Sequence, residues 1–108
     1  MMSKHVWVID DDRAIRWVLE RALTQAGLQA TCFEDAGSAL DQLDDEQPAV
    51  IVTDIRMPGM DGLSFLKKIM SEHPTPVIIC SSLVEKGAET TMEALAAGAF
   101  SIITKPKM

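Results

Sequence analysis

Short apolar runs alternate along the chain with segments in which apolar residues recur every three to four positions. The runs are typical of buried strands and lie at 5–9, 28–33, 49–53, 77–80 and 100–104. The periodic segments are typical of amphipathic helices and lie at 14–23, 36–43, 63–71 and 87–97. Strands that alternate with helices in this way predict an α/β fold, in which helices cover both faces of a parallel sheet.

Composition narrows the class of protein. A length of 108 residues with 47% apolar and 24% charged positions predicts one soluble domain over residues 1–108. No apolar run approaches a membrane span, and the start has no signal-peptide core, so we expect a cytoplasmic protein with no membrane partner. A net charge of -6 without a basic stripe disfavours nucleic-acid binding by this domain. Its two cysteines are too few for a disulfide framework.

Acidic residues follow two of the predicted strands. Asp10, Asp11 and Asp12 end the first strand, and Asp54 ends the third. The carboxyl ends of parallel strands meet at one edge of the sheet, where ligands bind in open α/β sheets. Clustered carboxylates repel one another unless a cation is present, and Mg²⁺ prefers oxygen ligands. The alternative is that Asp11 and Asp12 cap the first helix. The matching position of Asp54 favours Asp10 and Asp11 as metal ligands and Asp12 as the cap.

A carboxylate beside Mg²⁺ can attack phosphorus and form an aspartyl phosphate. Asp54 is placed to be this nucleophile. Lys105, just after the last strand, would neutralise the developing charge, although most single lysines are simply solvated. Ser81, at the end of the fourth strand, would bond a phosphoryl oxygen, or else serve as a turn or cap serine.

The two tryptophans receive different predictions. Trp7 lies inside the first strand and is most simply a core residue. Trp17 falls on the polar side of the first helix, where it marks either a contact surface for a partner or an ordinary exposed apolar residue.

Three motifs in order carry a family likeness: VIDDD at 8–12, TDIRMPGMDG at 53–62 and TKP at 104–106. Together they resemble the response-regulator receiver domain over nearly the whole chain. The resemblance implies a flavodoxin-like, doubly wound, five-stranded parallel sheet in the order 2-1-3-4-5, and phosphorylation of Asp54 by a histidine kinase. It also implies Mg²⁺ held by Asp11, Asp54 and the backbone carbonyl of Arg56, with Asp10 assisting. Ser81 would match the switch hydroxyl of the family, and Lys105 its phosphate-binding lysine.

The two halves resemble different branches of the family. Residues 6–23 resemble nitrogen-regulation activators that work with sigma-54 polymerase, whereas residues 76–91 and 103–107 resemble the receiver of a chemotaxis methylesterase. A recombined or engineered hybrid with a seam near the third helix is therefore one hypothesis. The possible switch position on the last strand is Ile102, where the family often has an aromatic residue.

The chain stops at Met108, whereas receivers continue into a fifth helix, so we expect a C-terminally truncated receiver without an effector domain. Right-handed connections would have put that helix on the face of the first helix. We therefore expect strands three to five to be partly bare there and to favour self-association.

These observations predict a signalling switch rather than an enzyme, with only limited self-phosphorylation and autodephosphorylation. One alternative is an assembly or hybrid-fold module that binds Mg²⁺ but does not switch. A less favoured one is a Mg²⁺-dependent phosphohydrolase, which would need a second acid as proton donor and a substrate-recognising cap.

Overall fold

A computed structural model describes residues 4–54, 62–81, 96 and 98–104. The described elements form one five-stranded parallel sheet in the order β2-β1-β3-β4-β5. The predicted α/β flavodoxin-like fold is therefore confirmed. The fourth helix predicted at 87–97 lies outside the described residues, apart from residue 96. The elements are β1 (His5–Ile9), α1 (Arg13–Gln25), β2 (Gln29–Phe33), α2 (Ala36–Leu43), β3 (Val50–Asp54), α3 (Gly62–Glu72), β4 (Val77–Ser81) and β5 (Ser101–Thr104).

Helix α1 has a defined beginning and end. The Asp12 carboxylate accepts hydrogen bonds from the backbone N–H groups of Ala14 at 2.9 Å and Ile15 at 3.4 Å, which confirms the predicted cap. At the other end, Gly27 has a φ of 85°, a left-handed conformation that glycine adopts without strain. The N–H of Leu28 then donates to the Leu23 carbonyl at 3.0 Å, which closes a Schellman motif and turns the chain into β2.

The sheet separates two apolar clusters. The larger cluster packs α2 and α3 against one face, and its buried residues include Trp7, Ile51, Phe65 and Ile79. Trp7 is fully buried, and its ring centroid lies 4.8 Å from that of Phe33, so its predicted place in the core is confirmed. The smaller cluster packs α1 on the opposite face. This division is the one that right-handed crossovers impose on the sheet order.

The face that carries α1 is less completely covered towards β5. In the strand register Ile103 pairs with Cys80, which belongs to the α1-side cluster. Ile103 is 40% exposed, whereas Val77 and Ile79, which point to the other face, have 0% exposure. On the same face Val52 of β3 and Cys80 of β4 are buried, at 8% and 1% exposure, so among the described residues the expected bare region is clearest only at Ile103 of β5. Self-association through this face stays a prediction.

Candidate functional site

The acidic cluster, defined as Asp10, Asp11 and Asp54, forms at the carboxyl edge of the sheet. Ile9 pairs with Thr53 in the register of β1 and β3, so the next residues, Asp10 and Asp54, stand at the same level. One carboxylate oxygen from each of the three acids lies within 4.8 Å of the others. Asp10 and Asp54 are 1% and 3% exposed, whereas Asp11 is open to solvent. The structure thus brings together the three acids that the sequence singled out.

The backbone and side chain of Asp10 are held on three sides. Its N–H donates to the Phe33 carbonyl at 3.1 Å, which joins it to the end of β2. Its Oδ1 accepts from the N–H of Asp12 at 2.9 Å, an Asx turn that fixes the carboxylate direction. Its carbonyl accepts from Nη1 of Arg16 at 2.7 Å, so helix α1 also holds this turn.

Sequence reasoning missed Arg16, although the sequence does carry a signal for it. Arg13 and Arg16 occupy the first turn of α1, where the positive end of the helix dipole disfavours cations. A cation in that position suggests that it donates a hydrogen bond to a specific acceptor elsewhere in the fold. For Arg16 the acceptor is the backbone of the acidic turn.

The donor set of the acidic cluster fits Mg²⁺. Mg²⁺ takes oxygen ligands at about 2.1 Å in an octahedron, so ligand oxygens lie about 3.0 Å apart when adjacent and about 4.2 Å apart when opposite. The three carboxylate oxygens already lie within 4.8 Å of one another, close to that range. Two of the three acids are buried, where mutual repulsion is least screened, and a dication would relieve it.

Of the four remaining predicted site residues, the structure describes the backbone of two. Ser81 is the last residue of β4, one position beyond Cys80, which pairs with Asp54. Ile102 lies in β5 and pairs with Ile79. Arg56 and Lys105 lie outside the described residues. The roles assigned to these four residues stay predictions.

Two further contacts involve side chains of α1. The Cys32 thiol donates to the Glu20 carboxylate at 3.3 Å, and burial, followed by this hydrogen bond and the Glu20 charge, raises the pKa of Cys32 to about 11. Trp17 is 61% exposed, as predicted, and the Arg21 guanidinium lies 5.4 Å from its ring centroid. A partner role for Trp17 stays a prediction. Within the part of the chain that the structure describes, every helix is too short or too polar to cross a bilayer.

Comparisons with known proteins agree with this architecture. The family model for the response regulator receiver domain matches residues 6–108. A protein-glutamate methylesterase/protein-glutamine glutaminase of Dechloromonas aromatica is 54% identical over 105 residues, which are 95% of this chain and 29% of that protein. A Francisella response regulator 1452 receiver domain has a TM-score of 0.86 at 34% identity, with 96% of this chain and 85% of that chain covered. Chemotaxis protein CheY4 of Vibrio cholerae has a TM-score of 0.88 at 28% identity, with 100% and 90% covered.

The relatives correct one prediction and leave another without support. The sequence led us to expect a signalling switch rather than an enzyme, which is wrong for the proteins it matches, because those relatives are methylesterases. The chain spans about 29% of their length. One methylesterase alignment runs through both halves of the chain, so the predicted hybrid origin is not confirmed.

The sheet order, the acids at its carboxyl edge and the family match lead to one assignment. The matched region begins in β1 and includes every described helix and strand that follows. It also contains all three residues of the acidic cluster. The chain therefore belongs to the response regulator receiver domain family.

Proposed function

We propose that this chain accepts a phosphoryl group on Asp54 from a phosphohistidine of a histidine kinase, with Mg²⁺, and then acts as a conformational switch. Receiver domains in general bind Mg²⁺ and interact with histidine kinases. The observation that carries the proposal is the position of Asp54. It ends β3, is 3% exposed and has a carboxylate oxygen within 4.8 Å of oxygens from Asp10 and Asp11.

In the proposed reaction, a carboxylate oxygen of Asp54 forms a bond to phosphorus while the phosphorus–nitrogen bond of the phosphohistidine breaks. The leaving imidazole nitrogen takes a proton from solvent. Asp10, Asp11 and Asp54 would hold Mg²⁺, and the backbone carbonyl of Arg56 would complete the protein ligands. When bound, the metal neutralises negative charge that develops on the phosphoryl oxygens. Hydrolysis reverses the state, because water attacks phosphorus and releases phosphate from the restored Asp54 carboxylate.

The switch is proposed to follow from the added charge. A phosphoryl group brings a charge of about -2 and strong acceptor oxygens. Lys105 is proposed to pair with this charge, and the Ser81 hydroxyl to donate to a phosphoryl oxygen. Movement of these groups would shift the segment after β4 and the region around Ile102. The competing module binds Mg²⁺ without this step.

We propose that this chain is the receiver region of a longer protein, a protein-glutamate methylesterase. In that protein, phosphorylation of Asp54 would regulate the hydrolysis of glutamate methyl esters. Support comes from 54% identity to the Dechloromonas aromatica relative over 95% of the chain. Residues 1–108 would form one receiver unit, located in the cytoplasm with the kinase. Self-association is proposed only for residues 1–108 as a separate chain, through the exposed Ile103 on the α1 face.

Intact mass after treatment with acetyl phosphate and Mg²⁺ tests the phosphorylation site. We expect one added phosphoryl group that hydroxylamine removes, and no added mass for Asp54→Asn. Asp41→Asn is the matched control, because Asp41 is an exposed carboxylate on α2 outside the acidic cluster. Labelling that persists in Asp54→Asn would refute the assignment. A wild-type chain that binds Mg²⁺ but takes no label would favour the module, and multiple turnover of small phosphate esters would favour a hydrolase.

A further inference from the structure

Arg16 makes a side-chain contact from α1 to the backbone of Asp10, within the turn that carries Asp10 and Asp11. Its side chain is only 15% exposed, and its Nη1 donates to the Asp10 carbonyl at 2.7 Å. A short hydrogen bond from an ionised donor is among the stronger kinds, and burial protects it from competition by water.

The carbonyl that accepts this bond belongs to the peptide group between Asp10 and Asp11. Because a peptide group is planar, fixing its oxygen restricts ψ of Asp10 and φ of Asp11 together. Asp10 is already held by its N–H and by Oδ1. Asp11 is exposed, so packing does little to orient it. The direction of the Asp11 carboxylate therefore depends on the peptide plane that Arg16 holds.

The other contact of the guanidinium is weaker. Nη2 of Arg16 lies 4.0 Å from Oε1 of Glu34, and the Glu34 side chain is 80% exposed. An exposed pair at that distance contributes little to stability. The contact with Glu34, in the loop after β2, therefore accounts for little of the burial of Arg16. The hydrogen bond to Asp10 accounts for more of it.

We propose that Arg16 is a positioning residue for Mg²⁺: it orients the peptide between Asp10 and Asp11 so that the acidic cluster binds the metal. This inference rests on the proposed function, since it concerns the same metal site. Residues that orient metal ligands without touching the metal typically change affinity by roughly 10- to 100-fold when removed. Because Asp11 is one ligand of several, we expect the lower end of that range.

The positive charge of Arg16 has an opposite effect, because it repels a dication near the same turn. Positioning predicts weaker Mg²⁺ binding when Arg16 is removed, whereas repulsion predicts tighter binding. The two effects also differ in salt dependence, because added salt screens the repulsion but leaves the hydrogen bond in place.

The test is Mg²⁺ affinity by isothermal titration calorimetry for wild type, Arg16→Met, Arg16→Lys and Arg21→Met. Arg21→Met is the matched control, because it removes the same charge from the same helix, where Arg21 contacts the exposed Trp17. We expect the Kd for Mg²⁺ to be about tenfold higher for Arg16→Met than for wild type. Arg16→Lys should be intermediate, because lysine keeps the charge but has a shorter side chain with a single nitrogen. Arg21→Met should match wild type, and the differences should persist at high salt.

The positioning role would be overturned if Arg16→Met had a Kd for Mg²⁺ equal to or lower than that of wild type. Circular dichroism checks folding, and Arg16→Lys serves for the affinity test if Arg16→Met does not fold. Amide exchange in EDTA adds a metal-free measurement: the N–H of Asp12, which donates to Asp10, should exchange faster in Arg16→Met, and unchanged exchange would also count against the role. A wild-type chain that binds no Mg²⁺ would refute the proposed metal site itself, together with this inference.

Discussion

Replacing Asp54 with asparagine should stabilise the protein when metal is withheld. The change removes one of two buried charges, those of Asp10 and Asp54, and preserves the shape of the side chain. Two ionised carboxylates at 4.8 Å, the upper limit of the separation between these oxygens, repel by about 3.5 kcal/mol at an effective dielectric constant near 20. Hydrogen bonds to a neutral amide are weaker than those to a carboxylate, which offsets about 1.5–2.5 kcal/mol of this gain. We therefore expect a net stabilisation of about 1–2 kcal/mol, or an increase in Tm of roughly 5–10 °C.

Mg²⁺ should reverse this difference. Binding to the folded state alone stabilises wild type by about 1.8 kcal/mol at a Mg²⁺ concentration twentyfold above Kd. Asp54→Asn lacks one ligand carboxylate and should gain much less. In EDTA, Asp54→Asn should be more stable than wild type. In Mg²⁺, the two proteins should be equally stable, or wild type should be the more stable.

Urea unfolding followed by circular dichroism, in EDTA and in Mg²⁺, measures both effects. Asp41→Asn again serves as the control and should change stability little in either buffer, because Asp41 is exposed and outside the acidic cluster. An Asp54→Asn variant that is less stable than wild type in EDTA would contradict the repulsion argument. Wild-type stability that does not respond to Mg²⁺ would contradict the metal site.

Two further predictions concern α1 and its neighbour β2. Asp12→Ala should lower the free energy of unfolding by about 1 kcal/mol, because it removes the cap of α1, while Asp12→Ser should lose much less; thermal unfolding in EDTA measures both. In a Cys80→Ala background, Cys32 should react slowly with iodoacetamide, because its pKa is raised from 9.0 to about 11 and only about 1% is thiolate at pH 9. The unfolded thiol is about half ionised at that pH, so urea should speed alkylation by roughly 50-fold, and similar rates would contradict the raised pKa. The folded pKa is the higher one, so the stability linked to this thiol is full below pH 9 and is lost as pH rises to about 11.

The residues that sequence reasoning placed correctly are those fixed by local pattern. The acids at 10, 11 and 54 meet because apolar runs defined the strand ends, and parallel strands bring those ends to one edge. Strand β2 begins at Gln29 instead of Leu28, because the N–H of Leu28 closes the Schellman motif. Strand β5 begins at Ser101 instead of Phe100, whose side chain is 76% exposed.

The position of Arg16 in the first turn of α1 is a signal in the sequence, but hydrophobic periodicity could not identify Asp10 as its partner. Their contact joins a helix to the loop that precedes it, across six residues, and depends on how α1 tilts over the sheet. Hydrophobic periodicity reports which face of a helix is apolar, but not where a long polar side chain ends.

The pairing of β1 with β3 determines the spacing of two residues of the acidic cluster, Asp10 and Asp54. Backbone hydrogen bonds space neighbouring strands about 4.8 Å apart, and Val8 pairs with Val52, two positions before Asp10 and Asp54. Sheet geometry therefore sets the spacing of these two backbone positions, and the turn at 10–12 then directs the Asp10 carboxylate. A slip of one residue in either strand would send one carboxylate to the opposite face. Insertions in loops at the opposite, amino-terminal edge of the sheet should thus be tolerated far better than a single insertion or deletion within either strand.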